Sequence, residues 1–229
     1  MIPKREQIPD YEENKLLKKY YNYIISKKKS LFLKRIFDIL ISLILILILL
    51  IPMVIISIVI KITSEGHILY KQKRVTQYGR EFYIFKFRTM KENADKFGFL
   101  TCNNDQRITR IGKILRKFRF DEFPQLINIL IGDMTFVGAR PEVPKYVEKY
   151  TSEMLATLLL PAGLTSISSI NFRNESEYLE NSSDSDKIYL EKILPEKMKY
   201  NLEYLRNFSF FLDIKIMFLT FLKVFGILR

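Results

Sequence analysis

The sequence predicts an α+β protein, mostly α-helical, with one long helix embedded in a membrane. Residues Ile39–Ile60 form a run of 22 residues without charge, long enough to cross a hydrocarbon core of about 30 Å as a helix. Glu81–Phe87 is rich in aromatic residues like a β-strand, and Arg110–Lys117 carries apolar residues at helical spacing. The length of 229 residues allows one compact domain beside the membrane segment.

The composition limits the chemistry that the chain can perform. Its net charge of +12 predicts an anionic partner, such as nucleic acid, acidic lipid headgroups or a phosphorylated small molecule. His67 and Cys102 are its single histidine and cysteine, which excludes most histidine-based triads and all multi-cysteine zinc sites. A lone cysteine offers no disulfide framework, which fits a reducing compartment. An enzyme of this composition must use carboxylates for covalent or proton chemistry and cations to hold an anionic substrate.

The apolar run Ile39–Ile60 is not a signal peptide. It begins too far from the N-terminus and no small-residue cleavage site follows it, so we expect it in the mature protein. Pro52 lies inside the run, removes one helical hydrogen bond, and kinks or breaks the helix. Basic residues flank the run on both sides, so no charge bias orients it across a membrane. Two alternatives stay open: a kinked single span, or a re-entrant helix–break–helix with both ends on one face.

The two ends of the chain each allow two interpretations. Residues 1–30 are polar and basic with scattered apolar residues, and they fit an interfacial helix or a solvated tail. Ile214–Arg229 is rich in Phe and Leu, and its two lysines lie within roughly 80° of each other on a helical wheel. This segment fits a helix in the membrane interface or a core-facing helix. The acidic, serine-rich stretch Glu175–Asp186 is expected to be a solvated connection.

A β-hairpin is predicted directly after the membrane run. Ile68–Tyr70 and Glu81–Phe87 are its expected strands, joined through a turn at Gln77–Gly79. Lys86 and Arg88 lie two positions apart, so they share one face of the second strand. They are either the solvated end of a half-buried strand or part of a cationic site.

Asp121 and Glu122 stand side by side after a run of cations that has no acid between Arg107 and Arg119. We expect a helix to begin at Asp121 as its N-cap and to end near Gly132. There, the helix dipole and the arginines lower the pKa of both carboxyl groups, so the pair should be ionised. An ionised aspartate suits nucleophilic attack or metal binding rather than general acid catalysis. The alternative is a helix cap held by a salt bridge.

Two loops complete the predicted site. Gly132–Pro141 contains two glycines and a proline, which predicts a shaped loop that presents Arg140. An arginine held in this way suits bidentate binding of phosphate. Pro161–Ser166 is predicted to be a second loop. The sequence has no glycine-rich phosphate loop of the dinucleotide or Walker type.

Several short motifs, by their order and spacing, resemble those of the bacterial sugar transferases, also called monotopic phosphoglycosyl transferases or polyprenyl-phosphate sugar-1-phosphate transferases. The resemblance runs from about Lys34 to Leu222. The matching pieces are Lys34-Arg35 with Phe37-Asp38, Pro52, Gln72 with Arg74 and Gly79, Lys86 to Met90, Asp105 to Gly112, Asp121 to Leu126, Gly132 to Met134, and Val137-Gly138 with Arg140-Pro141.

The resemblance implies a monotopic membrane protein with a re-entrant helix broken at Pro52, a short β-hairpin and interfacial amphipathic helices. The chain would divide into an N-terminal polar or interfacial segment (1–30), the re-entrant membrane helix (31–62) and a catalytic domain with a C-terminal interfacial helix (63–229). The catalytic domain would lie on the cytoplasmic face of the bacterial inner membrane.

The resemblance also implies a reaction. A sugar-1-phosphate would pass from a UDP-sugar to a polyprenyl phosphate such as undecaprenyl phosphate, and UMP would leave. Asp121 would be the nucleophile, and Glu122 would help to hold Mg²⁺. The implied substrate- and phosphate-binding residues are Lys86, Arg88, Gln125 and Arg140. The implied partners are the donor, the acceptor and membrane lipids, with a homodimer allowed and no nucleic acid.

Two other functions compete with this one. A membrane-anchored protein without catalysis could bind acidic lipid or nucleic acid through its basic face, and it would be indifferent to the loss of Asp121. A conventional glycosyltransferase would also use a nucleotide sugar, but it would release UDP instead of UMP.

Overall fold

A computed structural model describes residues 2–8, 12–94, 105–172, 185–224 and 226–227. The α-helices are α1 (Lys15–Ser26), α2 (Lys28–Thr63), α3 (Arg110–Lys117), α4 (Gln125–Ile131), α5 (Pro144–Val147), α6 (Ile167–Asn171), α7 (Ser185–Ile188), α8 (Leu194–Arg206) and α9 (Phe210–Val224). The strands are β1 (Leu69–Val75), β2 (Glu81–Phe87), β3 (Met134–Val137) and β4 (Ala162–Thr165). Short 3-10 turns are Arg5–Gln7, Gln77–Gly79, Phe120–Glu122 and Met154–Leu159, and Tyr189–Ile193 is a π-helical turn. Helices dominate, which confirms the predicted α+β, mostly α class.

Helix α2 contains the apolar run and exposes almost all of it. Only 6% of its most apolar stretch is buried within the protein, so a large hydrophobic surface needs a cover other than the protein itself. Pro52 lies inside this helix, which continues to Thr63. The predicted break at Pro52 is therefore wrong, because a proline removes one hydrogen bond and the turns on both sides keep theirs. The kink that a proline permits at this position stays a prediction. The re-entrant topology stays a prediction.

The N-terminal half of α2 is fastened to the rest of the protein by a buried polar network. This anchor cluster consists of Lys34, Asp38, Thr135, Tyr204 and Asp213. The Lys34 ammonium donates to Asp213 Oδ2 at 2.6 Å, and Thr135 donates to Asp38 Oδ2 at 2.7 Å. Arg35 extends the contact, because its guanidinium donates to the carbonyl groups of Ile129 and Leu130 in the last turn of α4, at 2.8 and 2.9 Å. These contacts fix the position of α2 relative to α4 and β3.

The predicted hairpin is present. Strands β1 and β2 pair antiparallel through the expected turn at Gln77–Gly79, and β1 extends to Val75, beyond the predicted Ile68–Tyr70. Tyr78 and Gly79 both have positive φ in that turn, 64° and 76°. The prediction missed the length of β1 because its central residues are mostly charged or polar and lack the usual strand composition.

A second sheet lies where the sequence predicted two loops. Strands β3 and β4 pair in parallel, in the segments Gly132–Pro141 and Pro161–Ser166. The loop prediction is wrong here because all four residues of β3 are buried, so the strand shows no alternation of polarity. Gly138 and Gly163 permit the pairing, since a Cβ on Gly163 would lie 2.3 Å from the Gly138 backbone.

Helix α4 begins at Gln125, four residues later than predicted. Asp121 lies in the 3-10 turn Phe120–Glu122, so the prediction that it caps α4 is wrong. The preceding Arg119 has a left-handed backbone with φ of 59°, which separates this turn from α3. The predicted end is confirmed, since Gly132 closes α4 with φ of 97°.

Both ends of the chain pack against the core through one face. Leu17 and Ile24 of α1 are buried in the main hydrophobic cluster, so this segment is not a solvated tail. Helix α9 buries Ile216 against the same cluster and exposes aromatic residues on its other side, with Phe211 83% exposed. Cys102 and most of Glu175–Asp186 lie outside the described residues, and so do residues 225, 228 and 229.

Candidate active site

The two predicted acids lie in a buried turn between α3 and α4. Asp121 is 7% exposed and Glu122 is 8% exposed. Their turn is held in place because α3 ends directly before it and α4 packs its apolar residues into the core directly after it. Burial of two adjacent carboxyl groups is costly unless cations neutralise them, so their neighbours define the chemistry of the site.

Glu122 is surrounded by cations. Arg140 meets it as a fork, with Nη2 at 2.8 Å from Oε1 and Nη1 at 3.4 Å from Oε2. The Lys86 ammonium lies 3.8 Å from Oε1, and Arg119 Nη1 lies 3.6 Å from the same oxygen. Burial acts to raise the pKa of Glu122, but the charges of Arg140, Lys86 and Arg119 outweigh it and hold that pKa well below its usual range. Glu122 is ionised, as the sequence predicted.

Asp121 differs from the prediction. Burial raises the pKa of its carboxyl group and the charge of Glu122 raises it further, although Lys86 and Arg116 act in the opposite direction. The predicted lowering assumed a helix N-terminus and overlooked burial. Oδ1 of Asp121 is buried and has no hydrogen-bond partner among the described residues. A carboxylate oxygen without a donor is a better nucleophile or metal ligand than one that is already paired.

A cavity of about 760 Å³ opens onto the two acids. The charged residues that line it are Lys71, Arg74, Lys86, Arg88, Lys91, Arg116, Arg119 and Arg140 on the basic side, and Glu92, Asp121 and Glu122 on the acidic side. Eight cations against three acids favour a ligand with several negative charges. Burial lowers the pKa of Lys86 to about 8, with Glu122 acting against the shift, so this lysine still carries charge at neutral pH.

The structure brings two of the four predicted substrate-binding residues to the acids. Lys86 and Arg140 both contact Glu122. Arg88 lines the cavity, but its guanidinium donates to the carbonyl groups of Ser64 and Glu65 at the end of α2. Gln125 does not line the cavity. Its side chain is fully buried, and neither of its amide atoms has a partner among the described residues.

Three arginines of the cavity were not predicted as site residues: Arg74, Arg116 and Arg119. Arg116 lies on α3 and donates from Nε to the Thr89 hydroxyl at 2.8 Å. Arg74 lies on β1 and donates to the carbonyl group of Pro141 at 3.1 Å. Arg74 could have been found from its spacing to Gln72 in the family motif, whereas nothing in the local pattern separates Arg116 from the other cations of α3.

The donor set is compatible with Mg²⁺ that is shared with a substrate. No group of three or more His, Cys, Asp or Glu side chains that could hold a metal occurs in the described part of the chain. Mg²⁺ is commonly held by one or two carboxylates together with substrate phosphates, and it seldom has an all-protein cage. Asp121 and Glu122 supply two adjacent carboxylates, and Oδ1 of Asp121 has a free lone pair.

Comparison with known proteins gives a consistent family. A family model described as bacterial sugar transferase matches residues 29–226. A UDP-glucose:undecaprenyl-phosphate glucose-1-phosphate transferase of Klebsiella pneumoniae is 34% identical over 198 residues, which cover 84% of this chain and 40% of the relative. A UDP-N-acetylgalactosamine-undecaprenyl-phosphate N-acetylgalactosaminephosphotransferase of Aeromonas hydrophila is 32% identical over 193 residues, covering 82% and 43%. An uncharacterized sugar transferase of Bacillus subtilis is 31% identical over 194 residues, covering 85% of this chain and 88% of the relative. The chain thus spans about two fifths of the length of the first two relatives.

Proposed function

The chain belongs to the bacterial sugar transferase family, and on that premise we propose that it transfers a sugar-1-phosphate from a UDP-sugar to undecaprenyl phosphate. UMP is released, and an undecaprenyl-diphospho-sugar forms as the first membrane step of glycoconjugate or polysaccharide synthesis. One observation carries this proposal. A buried aspartate with a free oxygen lies beside a cation-paired glutamate at a cavity with eight basic residues.

The first half of the proposed reaction is an attack by Asp121 on the donor. A carboxylate oxygen of Asp121 forms a bond to the phosphorus that carries the sugar, and the bond from that phosphorus to the UMP oxygen breaks. UMP leaves with the electron pair, and the sugar phosphate stays on Asp121. Arg140 and Lys86 lie close enough to the acids to neutralise charge that develops on the phosphoryl oxygens.

The second half returns the enzyme to its starting state. An oxygen of the polyprenyl phosphate attacks the same phosphorus, and the bond to Asp121 breaks with release of the carboxylate. The acceptor is an anion already, so the step needs no general base. His67 lines the same cavity, and neither half of the proposed reaction uses it.

Glu122, with Asp121 beside it, would hold Mg²⁺ together with oxygens of the donor diphosphate. Such an ion supplies charge neutralisation to the diphosphate and its leaving group. Glu122 is suited to this role because its paired cations keep it ionised throughout the physiological pH range. The Arg140 guanidinium can then serve twice. It pairs with Glu122 in the free enzyme and can bind phosphate in the complex with the donor.

We propose that α2 enters the cytoplasmic leaflet of the inner membrane and returns to the same face. The exposed apolar surface of α2 and the exposed aromatic side of α9 support a membrane setting. Single cysteines at Lys27 and Glu65, in a Cys102→Ser background, can test the topology in inverted vesicles. A membrane-impermeant maleimide should label both positions from the same side. Labelling of the two positions from opposite sides would mean that α2 spans the bilayer.

Nucleotide release tests the reaction. Purified protein, Mg²⁺, undecaprenyl phosphate and a panel of UDP-sugars are mixed, and UMP and UDP are quantified separately. UMP release that needs the lipid for sustained turnover, and that disappears in Asp121→Asn, would support the proposed reaction and identify the sugar. UDP release would instead indicate a conventional glycosyltransferase. Folded protein that binds anionic vesicles without releasing nucleotide from any donor would indicate the non-catalytic alternative.

A further inference from the structure

Arg140 is followed by a short segment whose main chain is held by hydrogen bonds to β1. The carbonyl group of Pro141 accepts a hydrogen bond from Arg74 at 3.1 Å. The carbonyl group of Glu142 accepts one from the Val75 amide at 2.9 Å. The main chain on the C-terminal side of Arg140 is therefore tied to β1.

The side chain of Glu142 is buried and faces the C-terminal half of the protein. The Tyr189 hydroxyl donates to its Oε1 at 2.5 Å. The Lys197 ammonium lies 3.6 Å from the same oxygen and donates to the Tyr189 hydroxyl at 3.1 Å. Tyr189 is itself held by stacking on Tyr146, with ring centroids 4.5 Å apart. The carboxylate, the hydroxyl and the ammonium form a closed triangle of contacts, which we call the Glu142 triangle.

The helical segment that supplies two corners of this triangle has an irregular turn. Tyr189 and Lys197 are eight residues apart, and in a regular α-helix they would point about 80° away from each other. The π-helical turn Tyr189–Ile193 has more residues per turn, which reduces that angle. Both side chains can therefore reach one carboxylate, and a π turn of this kind is often found at functional sites.

We infer that Lys197 and Tyr189 are positioning residues for Arg140, acting through Glu142. A buried carboxylate that loses its partners must find others, because leaving it unpaired is costly. Two arginines lie near this segment, since Arg74 donates to the Pro141 carbonyl group and Arg140 stands two residues before Glu142. Without Lys197, Glu142 is expected to turn toward these arginines and to draw the Arg140 fork away from Glu122 and from bound phosphate. The Glu142 triangle thus links residues 185–206 to donor binding.

The test compares Lys197→Met with Lys199→Met. Lys199 lies on the same helix but pairs with Glu196 at the surface, so its variant controls for loss of a helical lysine. We expect Lys197→Met to raise the KM for the UDP-sugar about tenfold, because Arg140 grips the donor phosphate. Lys199→Met should stay within about twofold of the unmodified protein. Tyr189→Phe, which removes only the hydroxyl group, should raise KM by a smaller factor.

The KM for the UDP-sugar distinguishes a positioning role of Lys197 from a role in folding alone. A variant that merely unfolds in part lowers the amount of active enzyme, so its apparent kcat falls while its KM stays unchanged. A second readout is the combination with Arg140→Lys, which keeps the charge and removes the fork. If Lys197 acts through Arg140, then Lys197→Met should raise KM much less in that background than in the unmodified protein.

This inference rests on the proposed function, and the two fail in different ways. Absence of UMP release from the unmodified protein, with every donor, would overturn the proposed function. Normal UMP release with an unchanged KM in Lys197→Met would overturn the positioning role alone. Equal, additive effects of Lys197→Met in the unmodified and Arg140→Lys backgrounds would also overturn it, since Lys197 would then act independently of Arg140.

Discussion

Two buried groups of acids in this protein are alike in burial and different in hydrogen bonding. In the anchor cluster, all four carboxylate oxygens accept hydrogen bonds. Asp38 receives them from the Thr135 hydroxyl and the Phe136 amide, and Asp213 receives them from Lys34 and Tyr204. In the acid pair of the cavity, Oδ1 of Asp121 has no donor among the described residues.

The difference agrees with a structural role for the anchor cluster and with the reactive role proposed for Asp121. The fully paired carboxylates of the anchor cluster are stable in one arrangement, so they hold helices in place. An oxygen that is buried without a donor raises the free energy of the free protein and is available to a phosphorus atom or a metal ion. Residue type and burial do not distinguish the two groups. They differ in whether every carboxylate oxygen accepts a hydrogen bond.

The largest expected effect is the loss of turnover in Asp121→Asn. The amide nitrogen cannot form the bond to phosphorus, so we expect UMP release to fall about 10⁴-fold or more. The midpoint temperature of thermal unfolding in detergent should change little or rise slightly, because a neutral amide avoids burying a charge beside Glu122. A variant that retains more than about a tenth of the turnover would show that Asp121 is not the nucleophile.

A substitution in the anchor cluster should have the opposite effect, lowering stability and leaving turnover nearly unchanged. Lys34→Met leaves Asp213 buried with one donor missing, and removal of one partner of such a pair typically costs about 3–5 kcal/mol of stability. Turnover per folded molecule should stay near that of the unmodified protein. The free energy of unfolding in detergent measures the first effect, and active-site titration by the UMP burst measures the second.

A double variant tests whether the missing partner causes the loss. Lys34→Met combined with Asp213→Leu removes the unpaired charge, so it should be more stable than Lys34→Met alone. A double variant that is less stable by the sum of the two single effects would mean that the pair contributes by packing and not by charge.

The sequence pointed to the acids, Lys86 and Arg140 because each lies in a motif whose order is readable without coordinates, and the structure brings these residues together at one cavity. It could not predict the pKa of Asp121, since burial depends on how α3 and α4 pack around the turn. It also missed the parallel pairing of β3 with β4. Four-residue strands that are buried on both faces carry no alternation, and their partner lies about 28 residues away.

The side chains that contact Glu142, two residues after Arg140, could not be predicted from the sequence either. Glu142 meets Tyr189 and Lys197, which lie 47 and 55 positions further along the chain. Contacts of this kind depend on tertiary packing, and a single sequence offers no local signal for them. Gln125 is the reverse case, since its place in the motif predicts contact with substrate, whereas the fold buries it outside the cavity.

Buried Lys34 and half-buried Lys86 extend the comparison to pH dependence. Lys34 has a carboxylate oxygen at 2.6 Å, whereas the nearest one to Lys86 is at 3.8 Å, and burial lowers the pKa of Lys86 to about 8. Lys86 carries its charge below that pH and loses it above, so kcat/KM should fall about tenfold per pH unit on the alkaline side. Lys86→Arg keeps the charge, and the fall should then begin at a much higher pH. An alkaline limb that is identical in both proteins would assign it to another group.

The smallest expected effect concerns two amides on α4 that are both fully buried. The Asn128 side chain accepts from the Phe85 amide at 3.0 Å and donates to the Tyr83 carbonyl at 2.9 Å, while the Gln125 amide has no partner among the described residues. Gln125→Met should change the free energy of unfolding by less than about 1 kcal/mol and leave the KM for the UDP-sugar unchanged, because no hydrogen bond is lost. Asn128→Leu should cost about 2–3 kcal/mol, since it leaves two backbone groups of β2 unpaired. A tenfold higher KM in Gln125→Met would instead place Gln125 in contact with the substrate, as its motif implies.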